Sequence, residues 1–207
     1  MQAQENLLFT PTEAAVLTQL SVKAVNNAID KETVRTVPSE GEGSATRLLD
    51  LPALMALILE RRLADRFVPE LRREVFAALS RAPRSTLSLE GGLLQIDLRE
   101  PRRELTTALK QLRRARQLVT TDPRVMGGSP VFRGTRVPAH LIATMLNEGS
   151  TAEEVLEGYP SLAAEMVRLA PLYAAAYPQR GRPRQQPWST LKPSFKTSRR
   201  LETIEAG

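Results

Sequence analysis

The order of apolar and polar positions divides this chain into four stretches. In the first, Thr10-Pro11-Thr12-Glu13 places a Thr cap, a first-turn Pro and a Glu ahead of Ala14, Ala15 and Leu17. That pattern predicts a capping box and a short helix to about Leu17. Thr18-Gln19-Leu20 is a tight connection, and Ser21 can cap a second helix running to about Ile29. Within that helix Val22, Val25 and Ile29 fall at i, i+3, i+7 and are expected to face the core, leaving Lys23, Asn26, Asn27 and Asp30 on the other side. Thr33 to Val37 is strand-like through its β-branched residues, Ser39 to Ser44 is a turn, and Arg47-Leu48-Leu49 returns as a second short strand. Asp50 then caps a long helix, Leu51 to about Phe67, and Pro69 starts another to about Leu79.

The second stretch reads strand, Gly-Gly turn, strand, helix. Thr86–Leu89 and Leu93–Leu98 flank Glu90-Gly91-Gly92, and the helix from about Glu100 to Gln117 sets Leu105, Ala108, Leu109, Leu112 and Ala115 on one face. Its other side carries Arg102, Arg103, Lys110, Arg113, Arg114 and Arg116, which suits a solvated face better than a nucleic-acid site. The third stretch opens on turns around a three-residue strand, with Gly127, Gly128 and Gly134 permitting left-handed backbone and Thr135-Arg136 tying the turn to neighbouring helices. Helices are expected from Ala139 to about Glu148, then to about Glu157 behind a capping box at Ser150-Thr151-Ala152-Glu153, then from Ala163 to Ala176. The fourth, Pro178 to Gly207, has four prolines and no hydrophobic periodicity, so it is expected to be disordered alone.

The fold class that follows is mainly α with small β-hairpins. It comprises a helix-turn-helix module with a wing and trailing helices (1–82), a hairpin–helix connector (83–121), a three-helix domain (122–177) and a flexible basic tail (178–207). Apolar residues are 42% of the chain but aromatics only 4%, so the cores should be rich in Leu, Ala and Val. There is no cysteine, which removes disulfides, thiolate metal sites and cysteine nucleophiles. The single histidine, His140, lies in the first turn of its helix and suits packing better than catalysis. No Gly-Lys-Ser/Thr follows the glycine-rich turn, so a nucleotide site is not expected. Five isolated aspartates argue weakly against a carboxylate metal site. No enzymatic activity and no cofactor are expected, and the absence of a signal pattern or long apolar run points to the cytosol.

Charge sharpens this picture. The chain carries +6, and the tail alone, with seven basic and two acidic residues, holds +5 of it. The tail also holds the sole tryptophan, Trp188, with Leu191 and Phe195 spaced behind it. Such apolar anchors in a basic segment suit folding onto a partner. On the second helix, Asn can pair with an adenine edge and Lys with guanine or phosphate, so Lys23, Asn26 and Asn27 are candidate base-reading residues. Glu40 and Glu42 at the wing tip should repel phosphate, leaving Arg35 and Arg47 at its base as candidate DNA contacts.

Two resemblances join these pieces. Thr10-Pro11-Thr12-Glu13-Ala14-Ala15, Ser21-Val22-Lys23-Ala24-Val25, the Gly-bearing hairpin and Arg47 entering Leu48-Leu49-Asp50-Leu51 resemble the winged helix-turn-helix of MerR and excisionase type over roughly Phe9 to Leu59. The run from Gly128-Ser129-Pro130 through Gly134-Thr135-Arg136-Val137-Pro138, followed by Gly149-Ser150, Glu153-Glu154 and Tyr159-Pro160-Ser161-Leu162, resembles the antitoxin domain catalogued as domain of unknown function 433. That match runs from about Val119 to Tyr177. It implies a three-helix, homeodomain-like fold and a toxin partner of the PIN-domain ribonuclease class. Two departures, Ala163 at a position where the family prefers Thr or Ser and Pro171 where it prefers alanine, should fray or kink the last helix.

The function implied is that of a VapB-like antitoxin of a type II toxin–antitoxin system, which represses its own operon as a homodimer and binds the toxin through Arg180, Arg182, Arg184, Trp188, Leu191 and Phe195. Arg180-Gly181-Arg182-Pro183-Arg184 also resembles a minor-groove hook. This keeps open a stand-alone transcriptional regulator whose tail is a second DNA contact.

Overall fold

The computed structural model describes residues 7–38, 47–63, 67–81 and 85–179. Helix α1 (Pro11–Thr18) begins with the expected capping box: Thr10 Oγ1 accepts from the Glu13 amide and Glu13 Oε2 accepts from the Thr10 amide at 2.9 Å. It ends on Gln19, whose φ of 55° turns the chain into the left-handed region. Helix α2 (Val22–Asp30) follows at once, capped by Ser21 Oγ on the Ala24 amide. Strands β1 (Val37–Pro38) and β2 (Arg47–Leu48) pair antiparallel, and Leu49 bridges back to Phe9 ahead of α1.

The strand expected over Thr33–Val37 is displaced toward its end, because Val34 turns inward to the core and Thr33 and Val34 amides bond the Ala28 carbonyl at the close of α2. Helix α3 (Leu51–Leu63) is capped by Asp50 Oδ1 on the Ala53 amide. Every residue from Ala53 to Leu59 is buried, which makes it the central helix. Residues 64–66 lie outside the described residues, and Phe67, whose amide bonds the Leu63 carbonyl at 3.0 Å, stands just before α4 (Pro69–Arg81).

Strands β3 (Thr86–Leu89) and β4 (Leu94–Asp97) form the expected hairpin through a turn at Glu90–Gly92, with Gly91 and Gly92 at positive φ. Helix α5 (Arg99–Leu118) leads into β5 (Val119–Thr120), a strand absent from the sequence expectation, which pairs with β6 (Val131–Phe132). Helices α6 (Ala139–Asn147), α7 (Ala152–Gly158) and α8 (Ala164–Ala176) complete the chain. The α7 capping box sits one residue later than expected: Thr151 is the cap and Glu154 its partner. Ala163 supplies no side-chain cap, as expected, yet α8 continues through Pro171. Its second half is held by packing, since Leu172 and Tyr177 touch both cores and Tyr173 and Ala176 are buried.

Those two cores meet inside α5. One gathers α1 to α4, the β3–β4 hairpin, Leu105 and Leu112; the other gathers Ala115, Leu118, β5, β6 and helices α6 to α8. The change of core falls between Leu112 and Ala115. Helix α8 seals both, packing on α6, α5 and α1. The whole is mainly helical with three two-stranded sheets among the described residues. No described helix is long and apolar enough to cross a membrane.

Candidate nucleic-acid interface

Helix α2 presents its polar side outward because its buried row is Val25, Ala28 and Ile29. Val22, expected inside, is 39% exposed, since it lies a turn ahead of that row at the solvent end of the helix. Lys23, Asn27 and Asp30 are exposed and Asn26 is half-buried, so the open face is Lys23–Asn27–Asp30 with Asn26 at its margin. The turn before it is held from behind: Arg61 of α3 donates through Nη1 to Gln19 Oε1 at 2.8 Å. Sequence reasoning missed this brace, because nothing local links positions so far apart.

Arg35 and Arg47 are both exposed beside the β1–β2 pair, and they differ in freedom. Arg47 pairs with Asp30 at the end of α2, whereas Arg35 has no ion-pair partner among the described residues. The wing tip with Glu40 and Glu42 lies outside the described residues, as do Arg180, Arg182, Arg184, Trp188, Leu191 and Phe195.

Helix α5 sorts its charges by face. Glu100 and Glu104 turn to α3, where Arg62 donates to both, at 3.1 and 2.9 Å, and Arg61 reaches Glu104. On the outer side Arg99 grips Asp97, whose carboxyl is held down at about 2 by those hydrogen bonds. Arg114 forks onto Glu165 of α8 at 3.0 and 2.6 Å, which lowers the Glu165 pKa.

The turn from Asp122 to Pro138 is closed by its own residues. Gly127, Gly128 and Gly134 all have positive φ, with values of 63°, 81° and 80°. Thr135 Oγ1 donates to the Phe132 carbonyl at 2.9 Å and accepts from the Val137 amide at 3.1 Å, so it closes its own turn rather than tying it to helices. The tie to a helix is made instead by Arg133, whose Nε donates to the Gln117 carbonyl at the end of α5. Arg136 is exposed.

His140 is a packing residue. Its Nε2 bonds the Tyr177 carbonyl at 2.8 Å, so the proton sits there, and its ring meets Tyr173 edge-on at 5.8 Å. The Tyr177 hydroxyl in turn donates to Glu13 Oε1 at 2.8 Å. Burial first, then this bond and the Glu13 charge, push its pKa well above the ordinary tyrosine value. Glu13 therefore caps α1 with one oxygen and anchors the end of α8 with the other. No group of three or more His, Cys, Asp or Glu suited to a metal occurs among the described residues.

Comparison with known proteins places parts of this chain. The family described as "Protein of unknown function (DUF433)" matches residues 119–174, which hold β5 through most of α8. The uncharacterized protein y4eO of Sinorhizobium fredii is 36% identical over 183 residues, covering 84% of this chain and 83% of that one. Among solved structures, a DUF433 member from Anabaena variabilis is 20% identical and covers 54% of this chain and 91% of its own, with a TM-score of 0.28. Rv2018 from Mycobacterium tuberculosis is 16% identical and covers 78% and 95%, also with a TM-score of 0.28, a level too low to bear on architecture. Identity sustained over most of both chains is what decides kinship: this protein belongs to the same family as y4eO and carries a DUF433 segment at residues 119–174.

Proposed function

We propose that this chain is an antitoxin and autoregulatory repressor, which binds the operator of its own operon through α2 and neutralises a partner ribonuclease through its basic tail. The observation that carries the DNA-binding half is the exposed Lys23–Asn27 face of α2, set behind a turn that Arg61 holds fixed. A short helix with an amide and a cation on its open side can pair with base edges in a major groove, and a homodimer would read two half-sites. The toxin half rests on the tail's net +5 and on Trp188, together with the resemblance of the DUF433 segment to antitoxins paired with PIN-domain nucleases. An arginine entering a carboxylate-lined nuclease site would neutralise the acidic residues and displace their metal, inhibiting by occupancy. The chain itself would perform no chemistry.

The basic run Arg180 to Arg184 favours one second reading, a regulator without a toxin whose tail grips DNA. One experiment separates the two. The full chain, a protein ending at Gln179 and Trp188→Ala are each mixed with the product of the adjoining reading frame. Ending at Gln179 keeps the Tyr177 carbonyl intact for His140. Both variants should keep the operator preference, lose inhibition of the nuclease, and weaken the complex by about 2 kcal/mol or more. Undiminished inhibition by both would remove the tail from the inhibitory role. An adjoining product that the full chain neither binds nor inhibits would favour the lone regulator.

A further inference from the structure

The outer face of α5 is left over once its ion pairs are assigned. Arg103, Lys110 and Arg113 are exposed and stand at i, i+7, i+10, with exposed Thr106 and Thr107 between them and Gln117 beyond. None of the three cations, nor half-buried Arg102, pairs with a carboxylate among the described residues. Of the helix's own carboxylates, Glu104 is tucked against α3, and Glu100, though exposed, is engaged by Arg62 of that helix. Arg133, exposed and bonded to the Gln117 carbonyl, adds a cation at the helix end. At about 1.5 Å per residue, Arg103 to Gln117 spans roughly 21 Å, long enough to follow several phosphates.

The composition of the row chooses among polyanions. A protein interface needs an apolar anchor at its centre, and a membrane-surface helix needs apolar residues to insert. The large hydrophobics exposed among the described residues are Leu7, Val22, Val68, Leu93, Met126 and Leu141, none of them on α5. Cations interleaved with hydroxyl and amide donors are what phosphate oxygens accept from. We propose that the outer face of α5 is a second, sequence-independent contact with the backbone of double-stranded DNA. It rests on the reading of this chain as a DNA-binding protein but not on which helix reads the sequence.

The test compares two full-length variants that remove equal charge. Lys110→Gln/Arg113→Gln changes the α5 row and keeps good helix formers in place. Arg73→Gln/Arg168→Gln removes exposed cations from α4 and α8. Binding to operator and to scrambled duplex is measured from 50 to 200 mM salt, beside Asn27→Ala. The α5 variant should lose about ten-fold on both duplexes alike and flatten the salt slope by about two, with the matched variant changing less than half as much. Equal behaviour of the two double variants would overturn the proposal. So would a full chain that binds neither duplex at 50 mM salt, or an α5 variant impaired only in binding the toxin. An Asn27→Ala protein with full operator affinity would sink α2 as the reader while leaving the α5 result standing.

Discussion

Helix α2 is nine residues long and offers a cation, an amide and a carboxylate side by side; α5 is twenty residues long and offers cations separated by threonines. The first mixture contains both donors and acceptors, which is what distinguishing one base edge from another requires. The second contains donors facing outward with no acidic partner among the described residues, a composition that attracts phosphate regardless of sequence. The contrast extends to how each helix spends its arginines. Arg47 is tied to Asp30 at the end of α2, so its charge is held back on the face proposed to read sequence. Arg103, Lys110 and Arg113 have no carboxylate partner among the described residues, on the face proposed to grip. Both helices are amphipathic; only the carboxylates decide how much free charge each face keeps.

The sharpest break of this comparison is Asn27→Ala. Operator affinity should fall by about 1–3 kcal/mol while scrambled DNA is bound as before, measured by competition between the two duplexes. Equal losses on both would make α2 a second gripping face. A smaller effect tests whether the two helices act as one body. Tyr177→Phe cuts the bond from α8 to Glu13, and so the link between the α1–α2 pair and the helix packed on α5; chemical denaturation at neutral pH should show a loss of about 1 kcal/mol. The hydroxyl's pKa is raised in the folded chain, so its contribution is complete below the unfolded tyrosine value near 10 and is lost as pH rises above it. The gap between the two proteins should therefore narrow from about pH 10 upward. A constant gap across that range would show that the hydroxyl is not protected. The smallest effect is expected from Asp30→Asn, which frees Arg47. It should cost at most a few tenths of a kcal/mol in stability and raise affinity for scrambled DNA a few-fold, narrowing the difference between the faces.

Features set by neighbours in sequence were legible before the structure. Thr10 with Glu13, Ser21 and Asp50 announced three helix starts, and Gly91-Gly92 announced a hairpin. Errors arose where two local solutions were equally good. Ser150 with Glu153 and Thr151 with Glu154 are both capping boxes, and only the second pair closes on α7. Val22 belongs to an apolar row by spacing, but the side of α2 that packs inward runs through Val25, Ala28 and Ile29 and leaves the first residue outside. The contacts that define the candidate interface were invisible. Arg61 with Gln19 and Arg62 with Glu104 join elements more than 40 positions apart, so the sequence told the apolar side of α5 from its basic side but not which of its charges are paired.

The bond between Glu13 and Tyr177 also fixes an order of events during synthesis. It joins residues 164 positions apart, and Leu172, Ala176 and Tyr177 complete the core to which α1 belongs. Helix α1 is thus packed by α8, which is synthesised long after it, and the loop between them must close before either gains from the contact. Until α8 emerges, one side of α1 stays wet and Glu13 serves only as a cap. The core around α1 is complete only when α8 packs on it, so the α1–α2 unit takes one of its walls from the DUF433 segment behind it.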